Sequence, residues 1–372
     1  MAGGTFNGVE QVRPGTYIDT KSTRHVPTQV GQRGIIVLPL INHRWGPAET
    51  FLSITMENPD RHYNELGYSV YDATDPQMLL IREGLKKATT VIVYIPKAGT
   101  KATATSDNIT ATAKYGGSRG NDLKFESVAN PVDGFDVSIY MGVDLRAAYE
   151  ELKTVEELKA ASSELIDFIG TGDLTAFSAV SLKGGEDGAT TNADIVKFLD
   201  ASEKVKWNVM AFPVSSTEEE APALFAALKA KIKYLRENTG KWRRAVCSGF
   251  AADYEGIDNL TNGVVLQDGT SLAAHQCTVY LAAMAAAASK TTSNTNREYE
   301  GAVDIVGEKG HEEAVAAIKS GEVFFSFNEE GKVVVEYDIN SLTTFTDKKT
   351  KDYRKNRPIR VHDAFRERCA LE

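Results

Sequence analysis

Apolar positions along this chain change period several times, and the changes divide it into folding units. Ile35-Ile36-Val37-Leu38 is a continuous apolar run bounded by Gly34 and Pro39, the pattern of a buried strand. Trp45-Gly46-Pro47 then makes a turn, and Asp75 caps a helix that has Pro76 at its first position and Met78, Leu79, Ile81 and Leu85 within it. Val91 to Ile95 follows as a second strand, so this part reads as a β-loop-α-β unit. From Lys101 to Met141 the helical pattern disappears. Ile109 to Tyr115, Asp122 to Val128 and Phe135 to Met141 predict three strands of a small antiparallel β-domain. Leu152, Val155, Leu158, Leu165 and Ile169 stand near helical spacing and predict a helix from about Ala147 to Ile169, closed by Gly170.

Leu182 to Gly188 is a glycine-rich linker, and beyond it the pattern becomes α/β. A helix over Asp194 to Ser202 leads into a strand over Trp207 to Val214. The next helix has a capping box at Thr217 and Glu220 and an apolar stripe at Leu224, Leu228, Ile232 and Leu235; Gly240 ends it and a strand over Ala245 to Phe250 follows. Strand, helix, strand implies a parallel crossover. Gly263 to Gln267 reads as a strand, Ser271 to Ala288 as an alanine-rich helix, and His311 to Lys319 as a short helix. Val323 to Phe327 and Lys332 to Tyr337 form a hairpin turned at Glu329-Glu330-Gly331, whose second strand runs on to Ile339 and stops at Asn340-Ser341.

Both ends differ from the middle. Residues 1 to about 25 are glycine-rich and then polar; Pro14-Gly15 is a turn, and the alternating piece Thr16 to Thr20, with Tyr17 and Ile18, is too short for a sheet of its own. At the other end, Thr346 to Val361 carries Lys348, Lys349, Lys351, Arg354, Lys355, Arg357 and Arg360 against Asp347 and Asp352, a net +5 in a chain of net charge −9. Such a segment is either a solvated tail or an arm ordered against something acidic. Pro358 to His362 alternates apolar with polar like an edge strand, which suits an arm that adds to another subunit's sheet.

Composition excludes several classes of function. With 372 residues, 42% of them hydrophobic, the chain can build two or three cores. It has no eighteen-residue apolar run, and its first residues lack the basic and apolar regions of a signal peptide, so neither a membrane anchor nor secretion by that route is expected. Cys247, Cys277 and Cys369 are far apart and predict reduced thiols. The acidic balance argues against nucleic-acid binding, and scattered histidines argue against a metal site. Neither Tyr115 to Asp122 nor the 182–188 linker is a phosphate loop, since G-x-x-x-x-G-K-[ST] is absent, and no cofactor is expected. Gly269-Thr270-Ser271-Leu272-Ala273-Ala274-His275 resembles the nucleophile segment of subtilisin-like serine proteases, but no partnering base and carboxylate motifs accompany it; Ser271 or Thr270 as a helix cap explains the same residues.

Seven stretches together resemble the tail sheath proteins of contractile phage tails and phage-like bacteriocins. They are MAGGTF with VRPGTYID, the Trp45-Gly46-Pro47 turn, GGSRGND, LKGGEDG, NADIVKFLD, DYEGI, and DINSLTTFT with KNRPIRV. The resemblance implies an α+β multidomain chain: an N-terminal arm (1–25), a β-α-β segment (26–95), a β-sandwich domain with a following helix (96–185), an α/β body of subtilisin-like topology without its activity (186–337), and the start of a C-terminal domain with a basic arm (338–372). It implies a structural subunit that polymerises helically around an inner tail tube, meets baseplate or terminator proteins, contracts, and resides in a virion tail assembled in the bacterial host cytoplasm. Tyr17, Ile18, Ile339, Asn340, Lys355, Arg357, Ile359, Arg360 and Val361 are the expected subunit-interaction residues. Sheath proteins of this type usually continue past KNR-IRV, which predicts a C-terminally shortened chain that stays a monomer or small oligomer, with poorly ordered ends before about 20 and after about 345. The alternatives are a hydrolase using Ser271 and an adaptor binding one acidic partner.

Overall fold

The computed structural model describes residues 34–72, 74–161 and 163–369, together with the strands Gly4–Thr5 and Tyr17–Ile18. Those two strands pair in parallel within a separate N-terminal unit, residues 1–32, and the rest of the expected arm lies outside the described residues. Residues 33–372 form the second unit.

That second unit is built on a seven-stranded sheet, in the order Glu322–Val323, Ile257–Leu260, Arg244–Ser248, Val209–Ala211, Ile35–Pro39, Thr90–Ile95 and Thr50–Thr55. All pairings are parallel except that of the edge strand Thr50–Thr55 with Thr90–Ile95. Helices cover both faces, which is why the central strands read as continuous apolar runs rather than alternating ones. Ile36, Leu38, Val91, Val93 and Val246 pack beneath helices Pro76–Leu85 and Ala274–Ala287, while Ile35, Val37, Ile92, Tyr94 and Met210 pack beneath Asn192–Ala201 and Ala221–Glu237. The alanine-rich helix is buried on nearly every side, because only small side chains let it lie close against both the sheet and Pro76–Leu85. The predicted cap at Asp75 forms, its carboxylate accepting from the backbone N–H of Gln77 at 2.7 Å and of Met78 at 3.3 Å.

Between Thr90–Ile95 and Asn192–Ala201 the chain makes an antiparallel sandwich. Its four-stranded sheet runs Asp144–Leu152, Phe135–Met141, Leu123–Ala129, Phe177–Ser181, and its three-stranded sheet runs Ile166–Gly170, Ile109–Ala113, Thr103–Ser106. Phe125, between Phe168 and Phe177, centres the core. The chain enters and leaves side by side: Thr100 pairs with Glu186, and Thr103 with Lys183, in antiparallel bridges.

Four elements differ from the sequence reading. The helix expected over 147–169 is a strand (Asp144–Leu152), a short helix (Val155–Ala161) and another strand (Ile166–Gly170). Positive φ at Glu151 breaks any long helix, and Ile166 and Phe168 are inward while Asp167 is not, a period of two that Leu165 and Ile169 masked. The alanine-rich helix starts at Ala274; Ser271 and Leu272 belong to a strand paired with Val264 and Val265, so neither Thr270 nor Ser271 caps it. No capping box forms at Thr217 and Glu220, because Thr217 bonds Ser215 and the helix begins at Ala221 with Pro222 in its first turn. Lastly, Pro358 to Val361 is not an edge strand but the start of helix Asn356–Cys369. Proline is tolerated in a first helical turn, where its missing N–H has no partner to lose. The inward set Asn356, Ile359, Arg360, Asp363 and Ala364 has the helical period.

Candidate functional site

Residues 338–363 fold back onto the body instead of leaving it as an arm, and the polar letters of DINSLT and RKNRPIR are what hold them. Asp338, Asn340, Ser341, Arg354, Asn356 and Arg360 are all buried. Ser341 ties the segment to the sheet: its N–H donates to Ile257 O at 2.8 Å and its hydroxyl to Tyr254 O at 3.1 Å. Asn340 closes the segment on itself, its N–H donating to Arg354 O and its amide to Tyr353 O, both at 2.8 Å. Arg354 in turn donates to Leu342 O at 2.8 Å and to Lys319 O.

Asn356 is the hub. It is 1% exposed, and its amide donates to Asp338 Oδ1 and to Ile339 O at 2.9 Å each and to Asp258 Oδ2 at 3.2 Å, while its Oδ1 accepts from Arg244. Arg244 also donates to both oxygens of Asp258, at 2.6 and 2.9 Å. One turn along the helix, Arg360 donates to Asp338 Oδ2 at 2.8 Å and to Thr292 O. One further turn along, Asp363 accepts a bidentate pair from Arg236 at 2.8 and 2.9 Å. The helix therefore meets the rest of the chain through two buried ion pairs, Arg236–Asp363 and Arg360–Asp338, and through the Asn356 amide, which links Asp338 to a third pair inside the body, Arg244–Asp258. Burial pushes the Asp258 carboxyl up to about 6 against the pull of Arg244, with Asp338 adding to the rise. For Asp338 burial acts the same way, but Arg360 and the donated hydrogen bonds outweigh it and hold the carboxyl below its ordinary range.

The expected interaction residues thus separate. Ile339, Asn340, Ile359 and Arg360 are buried against their own chain; Lys355, Arg357 and Val361 are exposed on the outer face of the helix turn, near exposed Phe365. Tyr17 and Ile18 lie in the N-terminal unit. Sequence reasoning missed Asp258, Arg244, Arg236 and Asp363, which no local pattern marks; an arginine opening a strand of otherwise apolar character, Arg244-Ala-Val-Cys, was the available signal.

A second built feature joins sandwich to body. Trp45 is buried there, donating from Nε1 to Asn64 O at 2.7 Å, and Arg119 of the GGSRGND turn donates to Gly67 O at 2.9 Å with its guanidinium 4.4 Å from the Tyr68 ring centroid. Glycine is required at 116 and 117: an added Cβ would stand 1.9 Å from Gly99 O and 1.8 Å from Arg44 O, and Gly117 has φ +134°. These are joint residues, not a phosphate cradle.

Ser271 is exposed on its short strand, paired with Val265, and among the described residues it makes no hydrogen bond to His275. Among the described residues no group of three or more His, Cys, Asp or Glu could hold a metal ion, and no helix is long and apolar enough to cross a membrane.

Residues 33–372 thus comprise an α/β body jointed to a β-sandwich, with the C-terminal segment locked onto the body, and comparison with known proteins places the chain. Residues 33–94 match the tail sheath protein Gp18 domain III N-terminal region, 97–187 the phage tail sheath protein beta-sandwich domain, and 188–341 the phage tail sheath protein central domain. The chain is 38% identical to protein XkdK of the phage-like element PBSX of Bacillus subtilis strain 168 and 36% identical to the uncharacterized protein YqbK of the same strain; each alignment takes in 98% of this chain and 80% of the relative. Among solved structures it is similar to a sheath tail protein from Desulfitobacterium hafniense (38% identity, 96% of this chain and 82% of that one, TM-score 0.84). A second, from Listeria innocua, matches at 37% identity over 91% of this chain and 76% of that one, with a TM-score of 0.81. The chain belongs to the phage tail sheath protein family and is a structural subunit of a phage-type tail sheath. Members of that family are structural rather than enzymatic.

Proposed function

We propose that this chain polymerises as a helical stack of rings around an inner tail tube, meets baseplate or terminator proteins at the stack's ends, and contracts to drive the tube through a target envelope. The particle is a virion tail or phage-like relative of one, assembled in the bacterial host cytoplasm. The observation that carries this reading is likeness to a sheath tail protein over 96% of the chain at a TM-score of 0.84, which takes in body, sandwich and C-terminal segment together. In this reading 1–25 is the arm, 26–95 and 186–337 make the α/β body, 96–185 the sandwich lobe, and 338–372 a C-terminal segment carrying the basic stretch. The largely parallel seven-stranded sheet supports a subtilisin-like topology for the body.

Contraction requires links that survive while the bodies slide, because otherwise the wall would come apart. Tyr17 and Ile18 serve as a strand given to a neighbour, each ladder hydrogen bond contributing about 0.5–1.5 kcal/mol net. Lys355, Arg357 and Val361 make a cationic and apolar contact face, and Ile339, Asn340, Ile359 and Arg360 act behind it by fixing the helix that carries it. Such a face meets acidic surface, so association weakens with salt. Negative-stain microscopy with sedimentation, on the chain alone and with its tube protein, tests the proposal. Rings or tubes in either sample support it; monomers of the chain alone are compatible with it, whereas failure to decorate or sediment with the tube protein refutes it.

A further inference from the structure

We propose that helix Asn356–Cys369 is a releasable element, one that undocks from the body as a unit by pivoting at Lys355 while the seven-stranded sheet stays folded. Lys355 is an extended residue (φ −79°, ψ +131°) between the turn Lys351–Arg354 and the helix. On its N-terminal side the chain is pinned, Arg354 to Leu342 O and Lys319 O and Asn340 to the carbonyls of residues 353 and 354. On its C-terminal side the helix adds no strand to the sheet.

What docks the helix is mostly polar. Among the described side chains of the helix, up to Arg366, the buried ones are Asn356, Ile359, Arg360, Asp363 and Ala364, of which Ile359 and Ala364 bury apolar surface. Buried ion pairs fix geometry strongly but stabilise little, since the cost of desolvating both charges offsets most of their attraction. Two partners remain incompletely bonded: Nε and Nη1 of both Arg244 and Arg360 are buried and make no hydrogen bond within the protein. Water that enters on release would satisfy those donors, which lowers the cost of the undocked state. The helix is therefore held in one register by contacts that solvent can replace, whereas the sheet is held by apolar layers that it cannot.

Hydrogen exchange by mass spectrometry on the full chain, with and without Asp363→Asn, tests this independently of assembly. In the parent chain, amides of residues 360–366 should exchange faster than those of Arg244–Ser248 and Ile257–Leu260. Asp363→Asn should accelerate the helix at least ten-fold and leave both strands unchanged, and the apolar pair Arg236→Met with Asp363→Leu should restore helix protection. Equal acceleration of helix and strands, or no acceleration of the helix, would overturn the proposal. Should Asp363→Asn fail to fold, the parent chain still decides. Trp242 lies 4.4 Å from the Arg366 guanidinium, and its emission, taken as the difference from Trp242→Phe, should change at lower urea than the far-ultraviolet circular dichroism. Coincident transitions would overturn the proposal as well.

Discussion

Replacing Asn356 by leucine keeps the volume of the hub and removes its hydrogen bonds. The amide now serves Asp258, Asp338 and Ile339 O while its oxygen serves Arg244, so the substitution leaves one buried guanidinium, two buried carboxylates and one carbonyl each short of a partner. Leaving a buried group unsatisfied costs about 1–3 kcal/mol. Asp258 keeps Arg244, and Asp338 keeps Arg360 and the N–H of Asn294, so the lower end applies to each. Four such losses sum to about 4 kcal/mol, with a leucine side chain returning roughly 1 of that by apolar contact. The expected net loss is about 3 kcal/mol, limited by the free energy that docks the helix, because once the helix is released the substitution has nothing left to break. Urea titration followed through Trp242 should show the midpoint of helix docking fall, and hydrogen exchange should place the effect at 356–366 first. A change below about 1 kcal/mol would show that Asn356 fills space rather than joining the ion pairs.

Stability should also depend on pH through Asp258, whose carboxyl sits at about 6 in the folded chain and at about 3.9 when unfolded. Between those values the folded state binds more protons, so this group makes stability fall as pH rises from 4 to 6, by up to about 3 kcal/mol, and Asp258→Asn should flatten that slope in urea titrations. An unchanged slope would refute the assignment; Asp338, with its lowered value, acts oppositely and loses its contribution only as pH falls below the ordinary carboxylate range. Gly117→Ala should loosen the joint between lobes by several kcal/mol, on the order of 2–4, and expose the 96–102 and 182–188 crossings to protease, because its Cβ would overlap Arg44 O. Ile18→Pro should block assembly in microscopy without moving the thermal unfolding of residues 33–372, whereas Ile359→Pro, in a buried helical position, should lower thermal stability by roughly 3 kcal/mol.

Elements whose pattern is set by their own burial were legible in the sequence. The run Ile35 to Leu38, the Asp75-Pro76 helix start, the stripe Leu224, Leu228, Ile232, Leu235 and the Phe135 to Met141 strand all carry the period of the face they bury. Edge strands were not: Thr50–Thr55 and Phe177–Ser181 are half-exposed and rich in Thr and Ser, and Asp144–Leu152, interrupted by two register shifts, imitates a helix. The C-terminal segment shows a different limit. Its charges suggest a solvated segment or one given to a neighbour, because charge is ordinarily outside. Three of its polar side chains, Ser341, Asn356 and Asp363, are instead partnered by Arg244, Arg236, Asp258 and the backbone at Tyr254, which lie 87 to 127 residues away in the chain, where no local window reaches.

The paired crossings at Thr100 with Glu186 and Thr103 with Lys183 make the sandwich, seen from the body, a closed loop whose two ends are already one strand spacing apart. The entropy of closing such a loop grows only slowly with its length, and here the bridges fix its ends whatever it contains. Size and surface of that lobe are therefore nearly decoupled from the sheet that carries the rest of the molecule. A family built this way can enlarge or recharge the outer parts of the lobe to suit a different environment while the sheet of the body stays as it was, provided the joint at Trp45, Gly117 and Arg119 is kept. The same two positions are where a foreign domain would be grafted with least disturbance to the remainder of the chain.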